Sequence, residues 1–168
     1  MNKLYLGIGG NLGNRIENIQ KTLSLIAEKI GKIEKLSSIY LSEAWGFQHK
    51  KYFTNIVIKL NTEKSPEKTL KLISEIELKL KRIRNSQDYE GRTMDIDILF
   101  YNNEIIKTKD LIIPHPHIQD RLFVLLPLSE IEKDLLHPIF KKTSLEILKE
   151  CEDKGQIRKL NCTKHYEY

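Results

Sequence analysis

Cysteine is scarce in this chain, with two residues among 168, Cys151 and Cys162, both close to the C-terminus. Neither has a His or Cys partner at metal-ligand spacing, so they read as free thiols rather than as a disulfide framework or a zinc site. Long hydrophobic runs are missing too: nowhere do the roughly 18 apolar residues needed to span a bilayer follow one another. The opening MNKLYLGIGGNLG lacks the apolar stretch and small-residue cleavage site of a secretion leader. These absences lead us to expect a soluble, cytoplasmic protein with no membrane partner. Extreme composition is absent as well: hydrophobic residues at 40% and charged residues at 30% exclude a disordered chain. A chain of this length already buries roughly 70% of its unfolded surface in one core, so we expect a single domain over residues 1–168. The net charge of +5 favours an anionic partner without choosing among a nucleotide, a nucleic acid or nothing specific.

What is present begins with periodicity. Lys3 to Gly9 is an apolar strand that runs into GIGGNLG. Asn14 then opens a helix with Glu17 three residues on, and Ile16, Ile19, Leu23, Ile26 and Ile30 form one apolar stripe that stops at Gly31. Ile33 to Ser42 and Tyr52 to Leu60 read as strands on either side of a loop. Ser65 and Pro66 suit the cap and first position of a second helix, which carries Leu70, Ile73, Ile76 or Glu77, and Leu80 at helical spacing up to about Arg82. The polar segment IRNSQDYEG leads to the strand MDIDILFY, a short return strand at Ile105 and Ile106, and helical pieces over Ile118–Ile131 and Leu145–Cys151. The order predicts an α+β fold: a ferredoxin-like βαββαβ antiparallel sheet with helices packed on it and additional C-terminal helices. Such a sheet serves many functions, so the site must decide.

GIGGNLG lacks the Gly-Lys-Ser/Thr ending of a phosphate loop and the G-x-G-x-x-G spacing of a dinucleotide site. It reads as a tight strand-to-helix turn. In the strand RTMDIDILF, side chains alternate, which puts Asp95, Asp97 and Leu99 on one face and Met94, Ile96, Ile98 and Phe100 on the other. Two carboxylates about 6.5 to 7 Å apart along a strand can bracket a pair of metal ions roughly 3.5 to 4 Å apart. A solvated acidic face would need no special neighbours. Here Arg82, Arg84 and Arg92 flank the segment, setting guanidinium forks for phosphate oxygens beside hard oxygen ligands for Mg²⁺. Asn55 can pair with a heterocycle edge, and Phe53, Trp45 and Phe123 can sandwich a flat ring. PHPH, Pro114 to His117, has too few ligands for a metal site. The acids of DIDILFY stand where an RNA-binding module of this fold carries aromatic residues, so no nucleic-acid partner is expected.

The ordered set GIGGNLGNR, SxxYLSEAWG, YFTNIV, RIR, RTMDIDIL, PHP and RLFVLLPL resembles the 6-hydroxymethyl-7,8-dihydropterin pyrophosphokinase family over nearly the whole chain. That resemblance implies transfer of the β,γ-diphosphate of ATP to the hydroxymethyl oxygen of the pterin, with AMP leaving, by a monomer acting in folate biosynthesis. It implies that Asp95 and Asp97 hold two Mg²⁺ ions and that Arg82 and Arg92 act on the triphosphate. Arg84 and Tyr89 would ride on the same loop, read as a lid over Arg82 to Arg92. By the same likeness Ser42, Trp45, Gly46, Phe53, Asn55 and Phe123 belong to the pterin pocket, and Glu77, Ile98, His115 and Arg121 lie near the nucleotide. Tyr89 and Glu90-Gly91 depart from the family's more frequent Trp and Gly-Pro there.

Overall fold

The computed structural model describes residues 1–45, 52–81 and 93–160. Its elements run β1 (Asn2–Gly10), α1 (Arg15–Lys29), β2 (Gly31–Leu36), β3 (Tyr40–Ser42), β4 (Phe53–Thr62), α2 (Pro66–Lys81), β5 (Asp95–Tyr101), β6 (Ile106–Lys107), β7 (Ile112–Ile113), α3 (Leu122–Glu132), α4 (Ser144–Glu150) and β8 (Ile157–Lys159). The main sheet is antiparallel in the order β5-β1-β4-β3-β8, with β2 also paired to β4, and β6 and β7 form a separate ribbon. The pairings of β5 with β1, of β1 with β4, and of β4 with β2 and β3 are those of the expected ferredoxin-like unit.

Both long helices arise where capping chemistry and periodicity agree. Asn14 Oδ1 accepts the Glu17 N–H at the start of α1, and Ser65 Oγ accepts the Lys68 N–H at the start of α2. Ile19, Leu23 and Ile26 from α1 and Ile73 and Ile76 from α2 pack on one sheet face against Leu4, Leu6, Ile8, Ile56, Ile58, Ile96 and Ile98. Each such side chain removed from water contributes roughly 1.5–3 kcal/mol before entropy is counted. The other face holds a second cluster, in which Val124, Leu125 and Leu128 of α3 and Ile147 of α4 meet Tyr5, Val57, Leu99 and Phe100. The sheet is thus covered on both sides, and the part of the second face nearest the ends of β1, β4 and β5 is where the cleft opens.

Four local departures from the sequence expectation matter. The strand expected over Ile33–Ser42 is two strands, because at Ser37 the hydroxyl oxygen, not the backbone carbonyl, accepts the Val57 N–H at 2.9 Å. Phe100 lies with Leu99 in the second cluster and not with Ile98, because a register shift between Tyr5 and Leu6 places an extra residue in β5 and turns its end over. The helix expected from Ile118 begins only at Leu122. The residues before it form turns with 115→118 and 118→121 bonds, Ile118 N–H to His115 O and Arg121 N–H to Ile118 O. β8, paired to β3, has no counterpart in the sequence reading.

Candidate active site

β5 is an edge strand, and its pairing with β1 sets Asp95 opposite Gly9 and Asp97 opposite Gly7. β1 in turn sets Gly9 opposite Asn55 and Gly7 opposite Val57 on β4. Opposed residues of an antiparallel pair project to the same face, so two rows cross the sheet: Asp95, Gly9, Asn55 and Asp97, Gly7, Val57. Because the middle member of each row has no side chain, the sheet forms an open floor between the acids and the amide. That floor belongs to a cleft of about 470 Å³, walled by Ser42, Trp45, Phe53, Arg121 and Phe123. The first half of GIGGNLG is therefore strand and site floor, and the tight turn expected there is confined to its end, where Gly13 has φ 64°. The signal available in the sequence was the matching period of G-x-G and D-x-D, which only a strand register can bring together.

The amide wall is ordered by hydrogen bonds. Asn55 Nδ2 donates to Ser42 Oγ at 2.9 Å and to the Phe53 carbonyl at 3.4 Å. Both Asn55 and Ser42 are buried. With the amide nitrogen held this way, the orientation of the side chain is set before any ligand arrives. A Cβ on Gly9 would stand 3.0 Å from Asn55 Oδ1, so the glycine also keeps that oxygen approachable.

On the acidic side, Asp97 Oδ2 lies 3.7 Å from Arg121 Nη1 and 3.9 Å from His115 Nε2. Asp97 remains 39% exposed on its side chain, open to a ligand in the cleft. The Arg121 guanidinium sits 4.7 Å from the centre of the Trp45 ring and 5.7 Å from that of Phe123, a cation–π arrangement. Trp45 is fixed by its own N–H, which donates to the Asp120 carbonyl at 3.1 Å. Burial, then the Arg121 charge, push the His115 imidazole down to about 4, so the ring is neutral at pH 7. Its Nδ1 accepts the His117 N–H at 3.2 Å, which assigns the proton of the neutral ring to Nε2, the nitrogen facing Asp97.

Two residues expected near the nucleotide are placed differently from the rest. Glu77, on α2, does not line the cleft; its Oε1 accepts the Ile96 N–H at 2.9 Å, tying the residue between the two acids to the helix. The Ile98 side chain is 5% exposed in the core on the opposite face, so a ligand could meet only its backbone. Gly46, Arg82, Arg84, Tyr89 and Arg92, and with them the lid expected over 82–92, lie outside the described residues. Glu43 and Val124 also line the cleft and were not singled out from the sequence.

The residues present fit magnesium by their chemistry. Among the described residues no group of three or more His, Cys, Asp or Glu side chains is placed to hold a metal, so these residues form no dedicated all-protein cage. Mg²⁺ is commonly held by one or two carboxylates, with water and substrate phosphates completing its shell, and Asp95 and Asp97 supply that number.

Acids on an edge strand, a guanidinium at their side, a buried amide and three aromatic residues thus line one cleft on the ferredoxin-like sheet. A family model described as 7,8-dihydro-6-hydroxymethylpterin-pyrophosphokinase (HPPK) matches residues 5–133. The chain is 38% identical over 162 residues to the 2-amino-4-hydroxy-6-hydroxymethyldihydropteridine pyrophosphokinase of Aquifex aeolicus, covering 96% of this chain and 98% of that protein. It is 37% identical over 131 residues to the Bacillus subtilis protein of the same description, covering 77% and 78%. A crystal structure of a Plasmodium falciparum HPPK-DHPS triple mutant with STZ-DHP superposes with a TM-score of 0.72 at 17% identity, covering 89% of this chain and 43% of that one. That likeness shows the fold, and this chain spans less than half of that structure's length. The chain belongs to the 7,8-dihydro-6-hydroxymethylpterin-pyrophosphokinase family.

Proposed function

We propose that this protein transfers the β,γ-diphosphate of ATP to the hydroxymethyl group of 6-hydroxymethyl-7,8-dihydropterin in folate biosynthesis. The hydroxymethyl oxygen forms a bond to the β-phosphorus and gives up its proton to solvent, the bond from that phosphorus to the α,β-bridging oxygen breaks, and AMP leaves with the electron pair. The observation that carries this reading is the row Asp95, Gly9, Asn55, in which a carboxylate and a heterocycle-reading amide share one open strip of sheet.

Asn55 and Ser42 fix the pterin edge, while Phe53, Phe123 and Trp45 supply flat apolar faces for its ring. Asp95 and Asp97 would hold two Mg²⁺ ions, which when bound neutralise charge on the phosphates. Arg121 adds a permanent positive charge beside Asp97, and the neutral His115 offers its Nε2–H as a donor there. In this reading Arg82 and Arg92 act on the triphosphate, with Arg84, Tyr89, Glu77 and the Ile98 backbone near the nucleotide. Alignment of the hydroxyl for in-line attack and stabilisation of phosphate charge then supply most of the rate.

The same reading has a single domain working as a cytoplasmic monomer on small molecules, without nucleic acid; no helix among the described residues is long and apolar enough to cross a membrane. Incubation with ATP, Mg²⁺ and 6-hydroxymethyl-7,8-dihydropterin should give AMP and the diphosphorylated pterin. Release of pyrophosphate in place of AMP would assign the site to nucleotidyl transfer and overturn the proposal.

A further inference from the structure

We infer that Asp153, in the segment between α4 and β8, is a positioning residue for the cleft, acting through the N-terminus of α3. This rests on the function proposed above for the cleft itself.

The first turn of α3 carries Arg121, at the cap position, and Phe123, both walls of the cleft, yet it is weakly held from within. Arg121 makes no side-chain capping bond to the helix, so the leading N–H groups need partners from elsewhere. Pro127 lies inside the helix and has no N–H to give to the carbonyl four residues back, which is that of Phe123. The turn bearing the site residues thus lacks a cap at one end and an interior bond at the other.

Asp153 supplies the missing partner. Its Oδ2 accepts the Leu122 N–H at 3.0 Å, between Arg121 and Phe123, and its Oδ1 accepts the Gly155 N–H at 2.9 Å. A carboxylate at a helix start also opposes the positive end of the helix dipole. The segment that carries Asp153 is tied to the opposite wall: Glu43 N–H donates to the Gln156 carbonyl at 3.2 Å, and Gln156 N–H donates to Glu43 Oε2 at 3.2 Å. β8 then pairs with β3 at Ser42. One stretch of chain therefore fixes the spacing between the Ser42–Trp45 wall and the Arg121–Phe123 wall, across which a flat ring would have to fit.

Removal of one helix cap commonly changes an equilibrium by about five- to tenfold. Asp153→Ala should accordingly raise KM for the pterin by about tenfold, raise KM for ATP, toward which Arg121 also faces, by a smaller factor, and shift the ligand-free emission of Trp45, the sole tryptophan, which stacks on Arg121. Asp153→Asn, which keeps an acceptor but loses the charge, should show a rise of about two- to fourfold. A merely structural role would lower the melting temperature and leave the ratio of the two KM values and the Trp45 spectrum unmoved, and that outcome overturns the inference. If Asp153→Ala does not fold, Asp153→Asn decides alone: a raised pterin KM at an unchanged melting temperature supports the role, and an unchanged KM refutes it. If the pterin reading itself is wrong, wild-type Trp45 emission will not respond to the pterin, while the ligand-free difference between wild type and variant still tests the brace.

Discussion

Two neighbouring glycines should respond to the same substitution in opposite ways. A Cβ on Gly10 would stand 2.1 Å from the Thr93 carbonyl oxygen and 3.0 Å from Met94 Sδ, far inside the roughly 3.5 Å of ordinary contact. The obstacle is backbone, so relief requires β1 and the start of β5 to separate. Overpacking of this kind costs about 1–3 kcal/mol, and at about 2–4 °C per kcal/mol for a chain of this size the melting temperature of Gly10→Ala should fall by about 2–12 °C. A Cβ on Gly9 meets Asn55 Oδ1 at 3.0 Å, a few tenths of an ångström too close, and the obstacle is a side chain. Asn55 can yield only by straining the bond its amide makes to Ser42 Oγ, worth about 1 kcal/mol, and the new methyl group occupies the strip of floor between the amide and Asp95. Gly9→Ala should therefore raise KM for the pterin by about tenfold, the equivalent of about 1.4 kcal/mol. Its melting temperature should change little, since the gain from a stiffer unfolded chain, about 0.4–1 kcal/mol, offsets the crowding. Scanning calorimetry and steady-state kinetics on the two variants separate the effects. An unchanged pterin KM in Gly9→Ala, or a wild-type melting temperature in Gly10→Ala, would refute the register-based account of the cleft.

Asp95→Asn and Asp97→Asn should each lower turnover by at least about 10²-fold, the loss typical of one preorganised electrostatic group, with circular dichroism unchanged; near-normal turnover in either removes the metal-holding role. Asn55→Ala should weaken pterin binding far more than ATP binding in calorimetric titration, and equal losses would remove the pocket assignment. His137 tests the second cluster by pH. It is 2% exposed, stacked on Phe140 at 4.3 Å, with Nδ1 accepting the N–H groups of Ile139 and Phe140 at 3.3 Å, and burial lowers its pKa from 6.5 to about 4. Because the folded ring resists protonation while the unfolded ring does not, its contribution is complete above pH 6.5 and drains away as pH falls toward 4. Between pH 6.5 and 4.5 we expect a loss of about 2 kcal/mol, to which His115 adds in the same sense. Glu130 and Glu132, whose pKa values are lowered from 4.5, act only below that window. His137→Asn should flatten the fall of melting temperature over this range, and a slope equal to that of wild type would show that the imidazole is not held neutral.

The parts of the molecule legible in the sequence are those governed by one local period. The stripe Ile19, Leu23, Ile26 and the caps at Asn14 and Ser65 announce two helices, because residues three or four apart meet within a single element. The shared face of Asp95 and Asp97 follows from the alternation of one strand, and Asn55 beside Phe53 from another. Elements that depend on a partner strand escaped. The break at Ser37 exists because its hydroxyl replaces a backbone acceptor for Val57, and Phe100 changes face because an extra residue opposes β1. Ile157–Lys159, three residues without alternation, becomes a strand only because β3 presents an unpaired edge.

The same division runs through the site. Sequence alone offered the candidate side chains, since a carboxylate pair, guanidinium groups and an amide near aromatic residues are properties of residue type and short spacing. Tertiary structure alone decided that Gly7 and Gly9 form the floor, that Arg121 and His115 converge on Asp97, and that Asp153 caps the helix start between Arg121 and Phe123. The physical reason is that register and long-range hydrogen bonds couple residues tens of positions apart, and the energy that selects those pairings comes from burying both faces of the sheet at once, which no local window contains.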